Sequence, residues 1–378
     1  MPELLNRYPD FYQDWVFEAL RLRPGDEISD AILEPLSRLS RTWLAGDPEE
    51  QRSCLKDPEA LRAYTCYYMA INMPKLWFML DRCQPVLESV LAEQPELKVA
   101  ELGCGPGTFL WSFLFYLQVW DPRVLARLSR ASGIDDNTTA LETAENLARG
   151  LRNRDGFAHL RPNFIRGNWR RHLGSDDDVI IFGNTLTESS FKTLDWVEEL
   201  QAKMIIVIEP GTVDSFHHIR PIRDKLMDLG WHINFPCTSH HPCPMKPTNW
   251  CHFHINRFTR PYIQRMSAKS GRLNPRHNFS GFVFSRHAAH GPDEWRLLST
   301  LRRVKRTGIR YVCDGEHMRA AVLGRRDKND ANRDFIDAVI GDRIRMRFEA
   351  GKDAFLKSKH IRSEDTVDIT DTWSRTRE

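Results

Sequence analysis

No stretch of about 18 consecutive apolar residues occurs, the length a membrane-spanning helix requires, so no membrane partner is expected. The longest apolar-rich stretch, Phe109 to Trp120, reads as a buried helix. None of the eight cysteines forms a Cys-x2-Cys pair, which removes the common paired-knuckle zinc modules. The start has no charged-then-apolar export signal, and its acids (Glu3, Asp10, Asp14, Glu18) argue against a mitochondrial transit peptide. A bacterial cytoplasm is therefore expected, with the mitochondrial matrix as the alternative. Without export the cysteines should be reduced thiols rather than a disulfide framework. Aspartate and glutamate are absent from Gly230 through Pro292, a stretch that carries Lys246, Arg257, Arg260, Arg265, Lys269, Arg272, Arg276 and Arg286.

What is present describes a globular chain. With 378 residues, 41% hydrophobic and 28% charged, two or three domains are expected. The net charge of +3 is unevenly spread. Residues 1–50 carry 11 acids against 5 bases, and Arg296 to Lys328 carries 10 bases against 3 acids. A basic second half points to a polyanion such as RNA, bound through counterion release. Arg257, Arg260, Arg265, Arg302, Arg303, Lys305 and Arg306 are the candidate phosphate contacts.

Residues 1–95 have apolar positions at helical spacing (Phe11, Trp15, Ala19; Leu61, Tyr64, Tyr68) and breaks at Pro24-Gly25 and Gly46-Asp47-Pro48. From residue 96 to 231 short apolar runs alternate with helical segments: Lys98–Leu102, Ser132–Asp135, Asp178–Phe182 and Met204–Ile208 as strands, Phe109–Gln118 and Thr138–Arg152 as helices. That alternation predicts an α/β fold with a parallel sheet. Residues 232–350 read as a small β-rich module, with strands near Gly281–Phe284, Ile309–Cys313 and Ile344–Phe348. Residues 351–378 read as a polar tail, mobile from Ser358 onward.

The loop Glu101-Leu102-Gly103-Cys104-Gly105-Pro106-Gly107 follows one strand and opens one helix. A dinucleotide loop is related, but here the third glycine comes two residues after the second and an acid precedes the first. Together these disfavour pyrophosphate and favour S-adenosylmethionine, whose head carries positive charge. Glu101, Gly103, Cys104, Gly105, Gly107 and Asp135 form the expected cofactor site of a Rossmann-like class I methyltransferase domain. Asp135, with Asp136 as its alternative, would take the ribose hydroxyls. The Asn/Asp-Pro-Pro-aromatic motif of amino-methylating enzymes is missing; its place reads Gly183-Asn184-Thr185-Leu186-Thr187-Glu188. No catalytic residue is assigned, and methyl transfer stays an open alternative.

Cys237, Cys243 and Cys251 lie close together, and Cys313 follows after a long gap. Thiolates are soft ligands, and four of them suit either a structural zinc or a 4Fe–4S cluster. His240, His241, His252 and His254 are nearby substitutes.

The segments Glu209-Pro210-Gly211-Thr212, Pro236-Cys237, Cys243-Pro244 and Trp250-Cys251-His252-Phe253 resemble the signature of the methyltransferase-like small-ribosomal-subunit proteins. That family includes mitochondrial ribosome assembly factors and bacterial relatives, and the resemblance runs over roughly residues 95–325. It implies a methyltransferase-like domain with a cysteine-bearing extension and a 4Fe–4S cluster on Cys237, Cys243, Cys251 and Cys313, with zinc as the runner-up. It also implies that the chain serves assembly of the small ribosomal subunit, in contact with its rRNA. Its members are expected to act as binding factors, here as a monomer, with active rRNA methylation or a zinc-stabilised methyltransferase of protein or small molecules as alternatives.

Overall fold

A computed structural model describes residues 7–45, 50, 53–92, 94–189, 193–256, 260–271, 276–287, 291 and 293–370. The chain divides into two compact units: Met1–Phe78 with Leu91–Glu209 and His254–His277, and Met79–Val90 with Pro210–Phe253 and Asn278–Glu378.

The first unit is built on five strands, β1 (Leu97–Leu102), β2 (Leu128–Asp135), β3 (Asn163–Arg166), β4 (Val179–Gly183) and β5 (Met204–Pro210). They run parallel in the order β3-β2-β1-β4-β5. In β4 and β5 nearly every residue is buried, as a parallel strand covered on both faces requires. The apolar stretch after the glycine loop is the helix Thr108–Trp120, buried almost all round. Asn137 caps the helix Thr138–Leu151, accepting from the Ala140 N–H, and Ala140, Ala144, Leu147 and Leu151 form its buried stripe. The N-terminal region is helical as expected, with Tyr12–Leu20, Asp30–Ala45, Pro58–Ala63 and Met69–Leu80. Trp15 anchors it: the indole N–H donates to Leu147 O at 2.7 Å, and the ring meets Trp111 edge-on at 5.5 Å. The expected break at residues 46–48 lies outside the described residues.

The strand order of this unit reverses between β1 and β4. Open α/β sheets take ligands at that point, beyond the carboxyl ends of the strands. The glycine loop, Asp135 and Asn184 all lie at those ends.

In the second unit the helix Val213–Asp228 precedes β6 (His232–Phe235). β7 (Phe253–Asn256), almost all of it in the first unit, precedes β8 (Arg276–Ser285), which pairs antiparallel with β6. A second sheet follows, built from β9 (Glu294–Leu297), β10 (Arg302–Val304), β11 (Thr307–Cys313), β12 (Met318–Gly324), β13 (Arg343–Arg347), β14 (His360–Ile361) and β15 (Thr366–Ile369). Its order is β14-β12-β11-β9-β13-β15, with β10 on β11. Trp295, Val312, Leu323, Phe335, Ile344 and Phe355 fill its core. Arg310 points inward as well. Its guanidinium donates to Phe335 O at 2.8 Å and Ile336 O at 3.0 Å, and burial lowers its pKa to about 10.

The segment read as a polar tail is ordered up to Thr370. Lys352–Ser358 is a helix, and β14 and β15 pair with β12 and β13. One apolar side chain per turn suffices for this: Phe355 stacks on Phe348 at 4.1 Å and meets Trp295 edge-on at 5.6 Å. Truncating Phe355 to alanine is expected to destabilise the second unit by about 3–5 kcal/mol. A lowered denaturation midpoint in urea would show it, and an unchanged midpoint would mean that the helix contributes nothing to the core.

Candidate cofactor loop and thiol centre

Two sites emerge, one in each unit. In the first, Glu101 at the end of β1 is buried, and both its carboxylate oxygens are taken. Oε1 accepts from Phe109 N at 3.1 Å and Oε2 from Leu110 N at 2.7 Å. These are orphan donors of the helix start. The residue expected to reach a ligand thus holds the helix to the strand instead. Asp135 closes the loop from the neighbouring strand, accepting from Gly105 N at 2.7 Å and Asn137 N at 2.8 Å. Cys104 is buried beneath the loop, where burial, and next Asp135, push its thiol pKa well up. Gly103 and Gly107 stand on either side, each with positive φ. Gly105 has φ +53 and open space where a Cβ would stand, so a ligand could approach its backbone closely.

Glu209 at the end of β5 repeats the device. Its Oε1 accepts from Thr185 N at 3.0 Å and Leu186 N at 2.8 Å, and its Oε2 from the Thr187 hydroxyl at 2.6 Å. Lys75, buried, has its pKa lowered to about 8 by burial, against the pull of Glu209. The sequence reading assigned no role to either. Glu209 stood in the quoted signature, whereas nothing in the sequence marks Lys75. Asn184 leaves β4 with φ +57, and its side-chain oxygen is buried without a hydrogen-bond partner. Glu188 is exposed.

The four cysteines expected as ligands come together in the second unit. Cys237, Cys243, Cys251 and Cys313 line one cavity with Phe216, Met245, Phe282, Leu298, Arg223 and Arg296. Burial raises the thiol pKa of Cys243, Cys251 and Cys313, and repulsion from the neighbouring thiols, Cys237 first, adds to it. Four such thiols cannot all ionise without a cation among them. Arginines supply part of the charge. Arg223 Nε donates to Cys237 Sγ at 3.4 Å, and its Nη2 to His241 O at 3.0 Å. Arg220 donates to Met245 O and Cys243 O, each at 2.9 Å. Arg296, opposite Cys313 in the β9–β11 pair, donates to Pro236 O at 2.7 Å. Gly315 N donates to Cys313 Sγ at 3.3 Å. Gly315 has φ +89, and a Cβ there would lie 2.0 Å from the Ser239 hydroxyl, so only glycine fits. The donor set fits a thiolate-bound metal: four sulfurs, cationic partners and no carboxylate in the lining.

None of the four histidines lines this cavity. His240 is 3.0 Å from His232, and His252 stacks on Trp250 at 4.6 Å. Arg220, Arg223, Arg296 and Gly315 escaped the sequence reading, because a helix and a strand distant in sequence deliver three of them.

The candidate phosphate contacts separate. Arg302, Arg303, Lys305 and Arg306 are exposed on β10 and the turn after it. Arg260 instead donates to Tyr8 O at 2.9 Å and Pro9 O at 2.7 Å. Arg265 pairs with the buried Glu27. Arg257 lies outside the described residues.

Burial raises the pKa of Glu101 to about 8 and of Glu209 to about 7, against the hydrogen bonds that lower them. Both carboxyls therefore hold a proton in the folded chain at pH values where the unfolded chain has released it. Their contribution to stability is full below the ordinary carboxylate pKa and is lost as pH rises through about 7 to 8. The urea midpoint should fall between pH 5 and pH 9, and Glu209→Gln should flatten that slope; a midpoint that rises over this range would contradict the burial argument.

Comparison with curated proteins finds no match. The solved structures to which the chain is similar include three methyltransferases. The magnesium protoporphyrin IX methyltransferase of Synechocystis PCC 6803 is 14% identical, over 55% of this chain and 81% of its own, with a TM-score of 0.30. The precorrin-6y C5,15-methyltransferase of Geobacter metallireducens is 13% identical, over 54% of this chain and 87% of its own, with a TM-score of 0.32. The SAM-dependent methyltransferase of Agrobacterium tumefaciens is 12% identical, over 57% of this chain and 62% of its own, with a TM-score of 0.35. The class I methyltransferase-like fold rests here on the strand order and the loop. Residues 60–344, which include both sites, match the family described as "Mitochondrial small ribosomal subunit Rsm22". With most of its length matched, the chain belongs to the mitochondrial small ribosomal subunit Rsm22 family.

Proposed function

We propose that the chain is an assembly factor of the small ribosomal subunit that contacts rRNA and carries a 4Fe–4S cluster on Cys237, Cys243, Cys251 and Cys313. The observation that carries this reading is the meeting of these four thiols in one arginine-flanked cavity, in a member of that family. Four thiolates suit either metal, and the signature shared with the family sets the cluster ahead of zinc. The family's description supports the mitochondrial alternative over the bacterial cytoplasm.

S-adenosylmethionine is proposed at the glycine loop, with the backbone of Gly103, Gly105 and Gly107 and the free lone pairs of Asp135 as its contacts. Glu101 and Cys104 support the loop from beneath. When bound, that cofactor supplies an electrophilic methyl group. Arg302, Arg303, Lys305 and Arg306 are proposed as the phosphate contacts, since they are exposed and clustered, whereas the exposed Arg265 is paired with the buried Glu27.

The orphaned oxygen of Asn184 favours a second reading, active methylation of rRNA. It would accept a hydrogen bond from a base amine, as the Asn/Asp of amino-methylating enzymes does.

The test is metal analysis with a visible spectrum on protein purified without oxygen. About four irons and a band near 400 nm are expected, both lost in Cys237→Ser; one zinc without colour would sink the cluster and leave a thiolate staple. The two readings separate in cells. With Gly105→Arg blocking the loop, subunit assembly should persist, while Cys251→Ser abolishes it. Loss of assembly in both variants, with labelled methyl entering the subunit RNA of the wild type, would move the conclusion to the methyltransferase.

A further inference from the structure

Within the second sheet, β11 alternates strictly. Gly308, Arg310 and Val312 are buried, whereas Tyr311 is 52% exposed. Among the described residues only three other large apolar side chains are exposed, each less so than Tyr311, and one of them, Val304, lies on the adjoining β10. The register puts both on one face: Tyr311 is opposite Ala320, Ile309 is opposite Val322 and Arg302, and Val304 is opposite Thr307. Ala320 is too small to cover a phenol ring. An aromatic ring thus stands free on a half-exposed apolar strip of Ile309, Ala320 and Val322. One end of the strip is crossed by the turn Lys305–Arg306 and bordered by Arg302, Arg303, Arg325 and Arg326, all exposed.

Resting on the RNA-binding reading, we infer that this face is a stacking platform for single-stranded RNA, with Tyr311 under an unpaired base and the basic hairpin along the phosphates. A protonated rim suits a polyanion. A bare ring with a small cross-strand neighbour suits the flat face of a base, which duplex RNA keeps inside its stack. The partner is thus a splayed, unpaired segment rather than a helix.

The test uses the full chain, a short fluorescein-labelled oligouridylate and an RNA duplex of the same length. The single strand should bind more tightly than the duplex. Tyr311→Ala should weaken the single strand about tenfold, with little effect on the duplex and on the salt dependence. Tyr311→Trp should retain the affinity, and it guards against a folding artefact, as does an unchanged melting curve for Tyr311→Ala. Replacing Arg302, Arg303 and Arg306 with alanine should instead flatten the slope of log affinity against log salt by about two. Wild-type affinity in Tyr311→Ala, with the salt slope intact, overturns the platform and leaves RNA binding standing. Equal loss on both probes likewise overturns it. Failure of the wild type to bind either RNA overturns the platform together with the reading beneath it.

Discussion

The connection from Pro236 to His252 contains no helix or strand, so its backbone carbonyls lack ladder partners. Arginine meets that constraint. Arg220, Arg223 and Arg296 donate to the carbonyls of Pro236, His241, Cys243 and Met245. A guanidinium offers five donors in a rigid plane and so can bridge carbonyls that do not lie in register. The same choice makes the surroundings of the cysteines cationic. Positive charge favours thiolate, whereas burial favours thiol, and the raised pKa values of Cys251 and Cys313 have burial as their first cause. The proposed metal would tip that balance, since ligation requires thiolates. Loop order and ligand chemistry thus have one origin.

This use of arginine also changes what the charge map means. The acid-free stretch looks like a polyanion surface, yet much of its charge is turned to internal work. Arg260 holds the carbonyls of Tyr8 and Pro9, Arg265 meets Glu27, and Arg286 lies 3.9 Å over the Trp231 ring. A guanidinium spent in this way has few donors left for phosphate. One outward-facing cluster of charge lies on β10 and the turn to β11, where Arg302, Arg303, Lys305 and Arg306 are all exposed. Counting basic residues along the sequence locates positive charge without telling which of it faces water.

Much of the first unit was legible because its physics is local. Parallel strands covered on both faces read as short apolar runs, and the helices between them carry a 3.6-residue stripe. β3 escaped because it is short, polar and half-exposed at the edge of the parallel strands. The second sheet was only partly legible for the opposite reason. Buried charges such as Arg296, Arg310 and Arg343 sit where an alternating pattern should show apolar residues. The four cysteines proposed as ligands stood out by residue type and clustering, and they line one cavity. Their arginine partners did not stand out, since helix and strand packing decides which distant guanidinium arrives. Glu101 teaches a related lesson: the motif identified the residue, but only the fold shows its oxygens facing the helix start.

The carboxyls at the ends of β1 and β5 bear on what this methyltransferase-like fold is for. Glu101 spends both oxygens on the start of the following helix and Glu209 on the segment after β4, and both have pKa values raised to neutrality or above. A carboxyl so occupied fixes a loop; it does not collect a proton from a substrate. Asn184 keeps an unspent acceptor at the same edge, and an amide oxygen at that position can orient an amine but is too weak a base to deprotonate one. The loops are therefore rigid through internal bonds that need no catalytic turnover. What the edge leaves unspent is the open space beside the Gly105 backbone and the buried amide oxygen of Asn184. That inventory matches holding a cofactor and touching a base more closely than it matches proton-coupled chemistry, and it is the physical reason for placing binding ahead of catalysis.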